Sequence, residues 1–345
     1  MGPLVDARRA PVTGGGATVD HRERWTSDAW RADMHAWIRE SLAARDETVT
    51  RIDEHRVRIW SAVLRIETDA GVRWAKENHP GSASEMAATS IAHRVAPTLV
   101  LEPLALDVAA ARMLTANAGL LHEDGEAPIA TRIELAETAA ALQRALVPHA
   151  DELVAAGVPD IRPERLVDHL RERVAQAGTL PPEHPLHLGP DARAGIAALE
   201  PRIRELLAVL DDAGVPASLE HDDLHLGNAF EVDGRIRIGD LGDAVVAHPF
   251  GTLRVLLGSA GARGVAAAHV ARIRDAYLDG WSTHADRATL ARAADAAIAL
   301  SGVQRWEAWW RLTRDAPVSA IDEYRPYVQP LLRTLGDVEA ALIHV

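Results

Sequence analysis

The chain of 345 residues has no cysteine, and Lys76 is its only lysine. Without thiols it can form neither a disulfide framework nor a cysteine-ligated metal site, as expected of a cytoplasmic protein. No apolar run reaches the length of about 18 residues that a membrane helix needs, so we expect no membrane association. The first residues also lack the apolar segment of a secretory signal.

Negative charge dominates the composition. The chain has 50 acidic and 37 basic side chains, which gives a net charge of −13. Such a surface repels the phosphate backbone of nucleic acids, so we expect no nucleic-acid partner. It would suit a cationic small-molecule substrate. A hydrophobic content of 48% in a chain of this length is enough for a globular protein with two lobes.

The most specific pattern lies between Leu219 and Asp243. Its members, in the order H-x-D-L-x-x-x-N and D-x-G, are His221, Asp223, Leu224, Asn228, Asp240 and Gly242. A phosphoryl-transfer site of the kinase type needs these groups. Asp223 can accept the proton of an attacking hydroxyl, and Asn228 and Asp240 can hold Mg²⁺ against the phosphates.

A hairpin is predicted between the two parts of this pattern. Two short apolar-alternating runs, 229–232 and 235–238, flank Asp233-Gly234, a strong two-residue turn signal. Folding of this hairpin brings Asn228 and Asp240 to the same end, where both can reach one ion.

A zinc site is the alternative interpretation of the same stretch, because His221 and His225 have the spacing of H-E-x-x-H. That motif needs a glutamate after the first histidine and a helix beneath both. Here Asp222 takes the glutamate position and Gly227-Asn228 would end a helix, so the kinase interpretation is favoured.

These residues resemble the aminoglycoside phosphotransferase and choline kinase-like small-molecule kinases. The family loop usually reads HGDLHxGN, and here residues 221–228 read HDDLHLGN, followed by DLGDA at 240–244 and HPF at 248–250. The motifs cover about thirty residues, and the chain departs from the family at Asp222, where glycine is usual. The resemblance implies ATP (or GTP) and Mg²⁺ as cofactors and a small-molecule hydroxyl as acceptor.

The resemblance also implies a bilobal protein-kinase-like fold of the α+β class. We expect an N-terminal extension and helix (1–45), a small mixed lobe with an antiparallel sheet (46–114), and a hinge with a larger, mostly helical lobe that carries the catalytic loop and acceptor site (115–345). The start of the chain, rich in glycine and proline, is expected to be mobile. A stripe of apolar residues predicts a helix from Ser27 that packs against the small lobe: Trp30, Met34, Trp37, Ile38 and Leu42.

Three short strands beginning at His55, separated by Ser61-Ala62 and a turn at 69–71, fit the sheet of the small lobe. The family often has serine in the first turn, which would put Ser61 over the phosphates. Lys76 stands where a kinase lysine bridges phosphates, and its survival in an arginine-rich chain indicates a need for a compact ammonium. Glu85 is its expected partner, although Ser82-x-x-Glu85 is also a capping box.

Two further strands are predicted, one in 99–106 broken by Pro103 and one at 111–114. Periodicity is then lost up to Gly119, which is typical of a hinge. We expect the backbone of Thr115 to Asn117 to bind an adenine edge.

Helices dominate the remainder of the sequence. We expect them at 131–147, 163–177, 191–213 with a break at Pro201, 252–258, 265–281, 287–301, 304–314 and, interrupted by prolines, 318–335. Trp306, Trp309 and Trp310 share one helical face, which favours core packing, although aromatic faces also stack on sugars and cations. Acids that could bind an amine are Glu307, Asp315, Asp322 and Glu323.

Three functions remain open: a kinase of an aminoglycoside or other antibiotic, a metabolite kinase (amino sugar, choline or homoserine type), and a catalytically silent nucleotide-binding module. The third is suggested mainly by Asp222. We expect its side chain to point away from Asp223 into solvent, since two inward carboxylates would raise the pKa of the base.

Overall fold

The computed structural model describes residues 20–120 and 127–343. It has the predicted bilobal α+β fold, with a small lobe built on a five-stranded antiparallel sheet and a larger lobe built mainly of helices. The expected mobility of residues 1–19 lies outside the described residues. Within those residues, no helix combines the length and the apolar character needed to cross a membrane.

Two N-terminal helices, α1 (His21–Trp25) and α2 (Asp28–Ala43), cover the back of the small-lobe sheet. Ser27 caps α2 by accepting the backbone N–H of Trp30, as its position before the apolar stripe predicts. Apart from the half-buried Trp37, the stripe is buried against the sheet as expected. The sheet residues in this cluster are Ala62, Leu64, Ile66, Ala75 and Leu114.

The sheet has the strand order β1-β2-β3-β5-β4, in which every neighbouring pair is antiparallel. Its strands are β1 (Val49–Val57), β2 (Ser61–Thr68), β3 (Gly71–Asn78), β4 (Pro103–Asp107) and β5 (Arg112–Ala116), with helix α3 (Ser84–Val95) between β3 and β4. The first strand begins at Val49 rather than His55. Val49, Ile52 and Val57 pack against the core. They do not alternate regularly with the polar residues between them, so the sequence pattern did not show where the strand begins.

Pro103 begins β4 instead of breaking a strand over 99–106. β4 lies at the edge of the sheet, where the first residue of a strand can be proline because it need not donate to a neighbour. The preceding residues leave this sheet and pair with the large lobe, since Ile238 N–H donates to Leu99 and Leu101 N–H donates to Ile238.

Glu77 anchors β3 from behind. Its fully buried carboxylate accepts the indole N–H groups of Trp25 (3.0 Å) and Trp30 (2.9 Å) and the guanidinium of Arg112 (2.7 Å). Because successive side chains of a strand point to opposite faces, this anchoring directs Lys76 to the front of the sheet.

The large lobe contains short strands around one catalytic region and a surrounding set of helices. Its elements are β6 (Gly119–Leu120), α4 (Ile129–Leu146), α5 (Ala150–Ala155), α6 (Pro163–Ala177), α7 (Pro190–Ala198), α8 (Glu200–Ala213), β7 (Ser218–Glu220), β8 (Ala229–Val232), β9 (Arg235–Ile238), β10 (Val245–Ala247), α9 (Leu253–Ala262), α10 (Ala267–Asp279), α11 (Arg287–Leu300), α12 (Gly302–Thr313), α13 (Val318–Ile321), α14 (Arg325–Val328) and α15 (Val338–Ile343).

Local signals placed most of these elements. The proline at the first turn of α6 and the break between α7 and α8 next to Pro201 agree with prediction. The predicted hairpin is β8–β9, and its turn residues Asp233 and Gly234 both have positive φ (53° and 71°), as a two-residue type I′ turn requires.

Candidate active site

A cleft of about 500 Å³ lies between the small-lobe sheet and the loops at the end of β7 and β9. It is lined by residues of both lobes and of the segment that joins them. Those used below are Arg56, Trp60, Lys76, Glu85, Thr115, Asn117, Asp223, Asn228, Asp240, Asp243, Arg305, Ala308, Trp309 and Leu312.

Lys76 projects from β3 to the floor of this cleft and joins the two lobes. Its Nζ donates to Glu85 Oε2 of α3 (2.7 Å) and to Asp240 Oδ1 (2.6 Å). Burial acts to lower the pKa of Lys76, but the carboxylates of Asp240 and Glu85 outweigh it and hold the pKa above its ordinary value. The lysine is therefore a fixed positive charge between two acids.

The expected contact between Lys76 and Glu85 is present, and the capping-box alternative is not. Helix α3 begins at Ser84, and its N-cap residue Ala83 makes no side-chain hydrogen bond. Glu85 is fully buried and also accepts from Asn78 Nδ2. Burial raises the pKa of Glu85, an effect that the Lys76 ammonium opposes.

Strands β7 and β10 hold the two parts of the sequence pattern side by side. β7 pairs with β10, so the loop that leaves β7 at His221 and the segment that enters β10 after Ala244 lie next to each other. His221 fastens them together, since its Nε2 lies 3.0 Å from the carbonyl oxygen of Gly239 and its Nδ1 accepts the backbone N–H of Asp223 (3.3 Å). Burial lowers the pKa of His221, which keeps the ring neutral for this role.

Asp223 and Asn228 both line the cleft, as predicted from their spacing. The Asn228 side chain donates to the Asp223 carbonyl oxygen (2.8 Å), which fixes the loop conformation and leaves the carboxylate, 30% exposed, facing the cleft. Gly239 N–H donates to the Asn228 carbonyl oxygen (3.0 Å), so the hairpin closes beside Asp240.

Asn228 and Asp240 form a donor set that fits a hard divalent cation. Both supply oxygen, the ligand atom that Mg²⁺ prefers, and the Asp240 carboxylate is 43% exposed. Burial acts to raise the pKa of Asp240, but the neighbouring Lys76 ammonium lowers it, so this carboxylate is ionised. Gly242 leaves room here, because a Cβ atom at its position would lie 3.0 Å from Glu85 Oε2.

The described residues do not support the zinc alternative. They include no group of three or more histidine, cysteine, aspartate or glutamate side chains placed to hold a metal. His225 Nδ1 accepts the backbone N–H of Gly227 (3.0 Å), and a short 3₁₀ turn at Leu226–Asn228 replaces the helix that H-E-x-x-H needs.

Arg305 of α12 is a site residue that the sequence motifs do not reveal. Its Nη2 lies 3.0 Å from Asp223 Oδ1, and its Nη1 donates to Asp243 Oδ2 (2.5 Å). Burial acts to lower the pKa of Arg305, but Asp223, Asp243 and Asp222 outweigh it and raise the pKa above its ordinary value. Arg305 thus holds the carboxylate of the predicted base in a fixed position.

Asp222 differs from expectation in one respect. It lies in the protein interior, where it is only 4% exposed, and not in solvent, and its Oδ2 lies 4.0 Å from Arg305 Nη1. The cause is the backbone, because Asp222 has φ of 63°, a left-handed conformation that readily accommodates glycine. Burial and the neighbouring Glu220 raise the pKa of Asp222 well above its ordinary value.

Ser61 does not reach the cleft. It is the first residue of β2, its side chain is buried, and it is absent from the lining, to which Trp60 and Arg56 contribute instead. Its role was inferred from its place between the first two predicted strands and from the family's use of serine in that turn, neither of which determines the direction of a side chain.

Thr115 and Asn117 do line the cleft. The strand extends further than predicted, because Thr115 pairs with Trp74 inside β5. The side chain of Asn117 accepts the Trp74 indole N–H (2.8 Å) and so ties the segment between the lobes to β3.

The three tryptophans of α12 divide into two roles. Trp306 and Trp310 are buried and stack on each other with centroids 5.3 Å apart, which agrees with the core interpretation. Trp309 instead lines the cleft and meets Trp60 edge-on at 6.4 Å.

No family model matches the sequence, and no curated protein is significantly similar to it. Solved structures match over nearly the whole chain at low identity. Choline kinase from Streptococcus pneumoniae has a TM-score of 0.56 at 15% identity and is matched over 88% of this chain and 99% of its own. Ethanolamine kinase from Plasmodium vivax has a TM-score of 0.56 at 10% identity, over 84% and 81%. A choline/ethanolamine kinase family protein from Mesorhizobium loti has a TM-score of 0.53 at 17% identity, over 85% and 91%.

These matches confirm at the level of fold the resemblance that the motif around Asp223 implies. The chain has the fold of the choline kinase-like small-molecule kinases.

Proposed function

We propose that the protein is a Mg²⁺-dependent phosphotransferase that moves the γ-phosphoryl group of ATP or GTP to a hydroxyl group of a small molecule. The observation that carries this proposal is the meeting of Asp223, Asn228, Asp240 and the Lys76–Glu85 pair in one cleft. Their side chains come from distant parts of the sequence and match the parts of a phosphoryl-transfer site.

In this proposal Asp223 accepts the proton of the acceptor hydroxyl. The hydroxyl oxygen forms a bond to the γ-phosphorus as the bond from phosphorus to the bridging β,γ-oxygen breaks, and the nucleoside diphosphate leaves. Arg305 keeps the Asp223 carboxylate oriented through its contact at 3.0 Å. Lys76, held by Glu85, neutralises phosphate charge on the nucleotide side of the cleft.

Asn228 and Asp240 would hold the metal ion, which when bound neutralises charge that develops on the phosphates. The backbone of Thr115 to Asn117, which lies at the edge of the cleft between the lobes, would bind the base of the nucleotide. Ser61 takes no part in this proposal.

The silent-module alternative is not favoured by Asp222. Its side chain is buried beneath the loop, so it neither fills the cleft nor displaces Asp223.

The proposal is tested by measuring Mg²⁺-dependent release of ADP in the presence of a panel of small alcohols, with and without a chelator. We expect acceptor-stimulated turnover that disappears with the chelator and is absent in Lys76→Met. Asp233→Asn on the hairpin turn, whose side chain is 91% exposed, is the matched control. Nucleotide binding without turnover by any acceptor would favour the silent module.

A further inference from the structure

One face of α12 forms the acceptor side of the cleft. Arg305, Ala308, Trp309 and Leu312 recur at i, i+3, i+4 and i+7, the spacing of a single helical face, and all four line the cleft. Apart from Arg305 this face is apolar. The acceptor hydroxyl must lie next to it, because Arg305 contacts Asp223.

Every carboxylate that the described residues contribute to the cleft already has a cationic partner. Glu85 and Asp240 lie within 3.0 Å of Lys76, and Asp223 and Asp243 lie within 3.0 Å of Arg305. With Arg56, the lining has four acidic and three basic side chains among the described residues, histidines aside. The described part of the lining therefore carries very little of the net charge of −13 that suggested a cationic acceptor.

The four acids that the sequence offered for binding an amine are outside this cleft lining. Glu307 and Asp315 line a second cavity on another side of α12. There Glu307 lies 2.5 Å from Arg173 Nε and 3.1 Å from His169 Nε2. Burial acts to raise the pKa of Glu307, but these two partners outweigh it and lower the pKa to about 2. Asp322 pairs with Arg325 at 2.7 Å, and Glu323 is not part of the lining.

Aromatic rings form the wall beside this helical face. Trp60, from the turn before β2, meets Trp309 at 6.4 Å and Tyr324 at 5.6 Å, and Trp309 meets Tyr324 at 5.3 Å. The rings support one another across the two lobes and present Trp60 and Trp309 to the cleft. Flat apolar surface of this kind stabilises an apolar or aromatic group by burial.

We propose that the acceptor is an uncharged alcohol with an apolar or aromatic group that packs against Trp309 and Trp60. Arg305 disfavours cationic acceptors because it pairs with Asp223 and Asp243. An ammonium group would gain the ring faces but would lose its hydration without an unpaired carboxylate among the described residues of the lining, whereas a neutral group of the same shape has no such hydration to lose. This inference rests on the proposed function and names its substrate class.

The test compares two acceptors that differ only in charge: choline and its carbon isostere 3,3-dimethylbutan-1-ol, with 2-phenylethanol as an aromatic alcohol. Acceptor-dependent ADP release is measured with the full chain and Mg²⁺-ATP. We expect kcat/KM for the neutral isostere to exceed that for choline by roughly tenfold or more. A preference for choline, or no stimulation by either neutral alcohol while Mg²⁺-ATP still binds, overturns the acceptor class and leaves the phosphotransferase proposal standing.

Two variants test the residues named. Trp309→Ala should raise KM for the neutral alcohol by roughly tenfold with little change in kcat, while Trp309→Phe retains most of the affinity. The matched control is Tyr327→Ala, an aromatic residue of α14 that is 63% exposed. Equal behaviour of Trp309→Ala and this control overturns the stacking assignment.

Arg305→Met leaves Asp223 and Asp243 without their partner, so the ratio of kcat/KM between choline and its isostere should move toward choline. Arg305→Lys should restore the original ratio in part. An unchanged ratio in a folded Arg305→Met protein overturns the role of Arg305. Failure of the wild-type chain to bind Mg²⁺-ATP overturns the proposed function itself, and this inference with it.

Discussion

Asp222 and Asp223 are neighbours in the chain, yet they lie in opposite environments. Asp223 faces the cleft, 30% exposed, with Arg305 at 3.0 Å. Asp222 faces the interior beside the fully buried Glu220, where neither Asp222 Oδ2 nor Glu220 Oε2 has a hydrogen-bond partner among the described residues. The same loop therefore carries Asp223, which faces the cleft, and Asp222, which is buried beside Glu220.

The difference shows how environment assigns roles to identical side chains. On the cleft side, Lys76 and Arg305 bind the carboxylates and keep them oriented. On the interior side, burial raises the pKa of Asp222 and brings that of Glu220 to about 7, so these two groups resist ionisation. Arg305 lies closer to Asp223 (3.0 Å) than to Asp222 (4.0 Å).

The largest effect is expected on the cleft side. Asp223→Asn should preserve the fold and nucleotide binding and lower turnover by roughly 10²–10⁴-fold, the usual contribution of a positioned base. The measurement is acceptor-dependent ADP release together with calorimetry of ATP binding. Asp222→Asn is the matched control and should retain turnover within about tenfold of wild type. Equal losses in the two variants would contradict the division of roles.

Asp240→Ala should weaken Mg²⁺-ATP binding by roughly 10–100-fold, the equivalent of one or two charge-assisted contacts. The remaining Asn228 is a neutral ligand and holds a hard cation poorly. Titration calorimetry with and without Mg²⁺ measures the loss, and Asp233→Asn serves again as the control. Unchanged Mg²⁺-ATP affinity would mean that the metal binds elsewhere.

Local patterns predicted the parts of the site that local chemistry determines. The β8–β9 hairpin followed from Asp233-Gly234, and Asp223 and Asn228 followed from a fixed spacing within one loop. Lys76 and Glu85 followed from the kinase resemblance, which expects a lysine at the end of the third strand and a glutamate on the next helix.

Contacts between distant segments could not be predicted in this way. Arg305 lies on a helix far along the chain, and only the packing of α12 against the loop brings it to Asp223. The burial of Asp222 depends on a left-handed backbone, and alternation along a sequence does not reveal φ. Ser61 was placed by the family's use of serine in a predicted turn, but it lies in β2 and its side chain is buried.

On the interior side, a smaller effect is expected, and it concerns the stability of the fold. The folded pKa of Glu220, about 7, lies above its ordinary value of 4.5 because burial disfavours the charge. The contribution of Glu220 to the free energy of unfolding is therefore fully present below pH 4.5 and is lost as the pH rises through 7. Glu220→Gln keeps an acceptor for the Asp222 N–H and should remove this loss, which amounts to up to about 3 kcal/mol.

Urea unfolding of wild type and Glu220→Gln between pH 4.5 and 8 measures that difference. Glu205→Gln on α8, whose side chain is 67% exposed, is the control and should change stability by less than about 0.5 kcal/mol. Parallel curves for wild type and Glu220→Gln would show that Glu220 is ionised in the folded protein without cost.

The last effect on the interior side is expected from Asp222→Gly, which changes two things at once. It relieves the left-handed backbone at φ of 63°, worth about 1 kcal/mol at any pH. It also removes a buried carboxylate whose pKa is raised. This gain is absent at low pH, where the group is protonated, and grows as the pH rises through the folded pKa.

Asp222→Asn separates the two effects, because it removes the charge and keeps a side chain that tolerates this conformation. Unfolding curves at about pH 3, below the ordinary Asp pKa of 3.8, should therefore show a gain for glycine only, and curves at pH 8 a gain for both. Arg254 of α9 is also buried, and it acts together with Arg305 to lower the pKa of Asp222. A loss of stability in both variants at pH 8 would mean that the Asp222 charge compensates these two arginines by more than its burial costs, and that the interior acid supports the loop that holds Asp223.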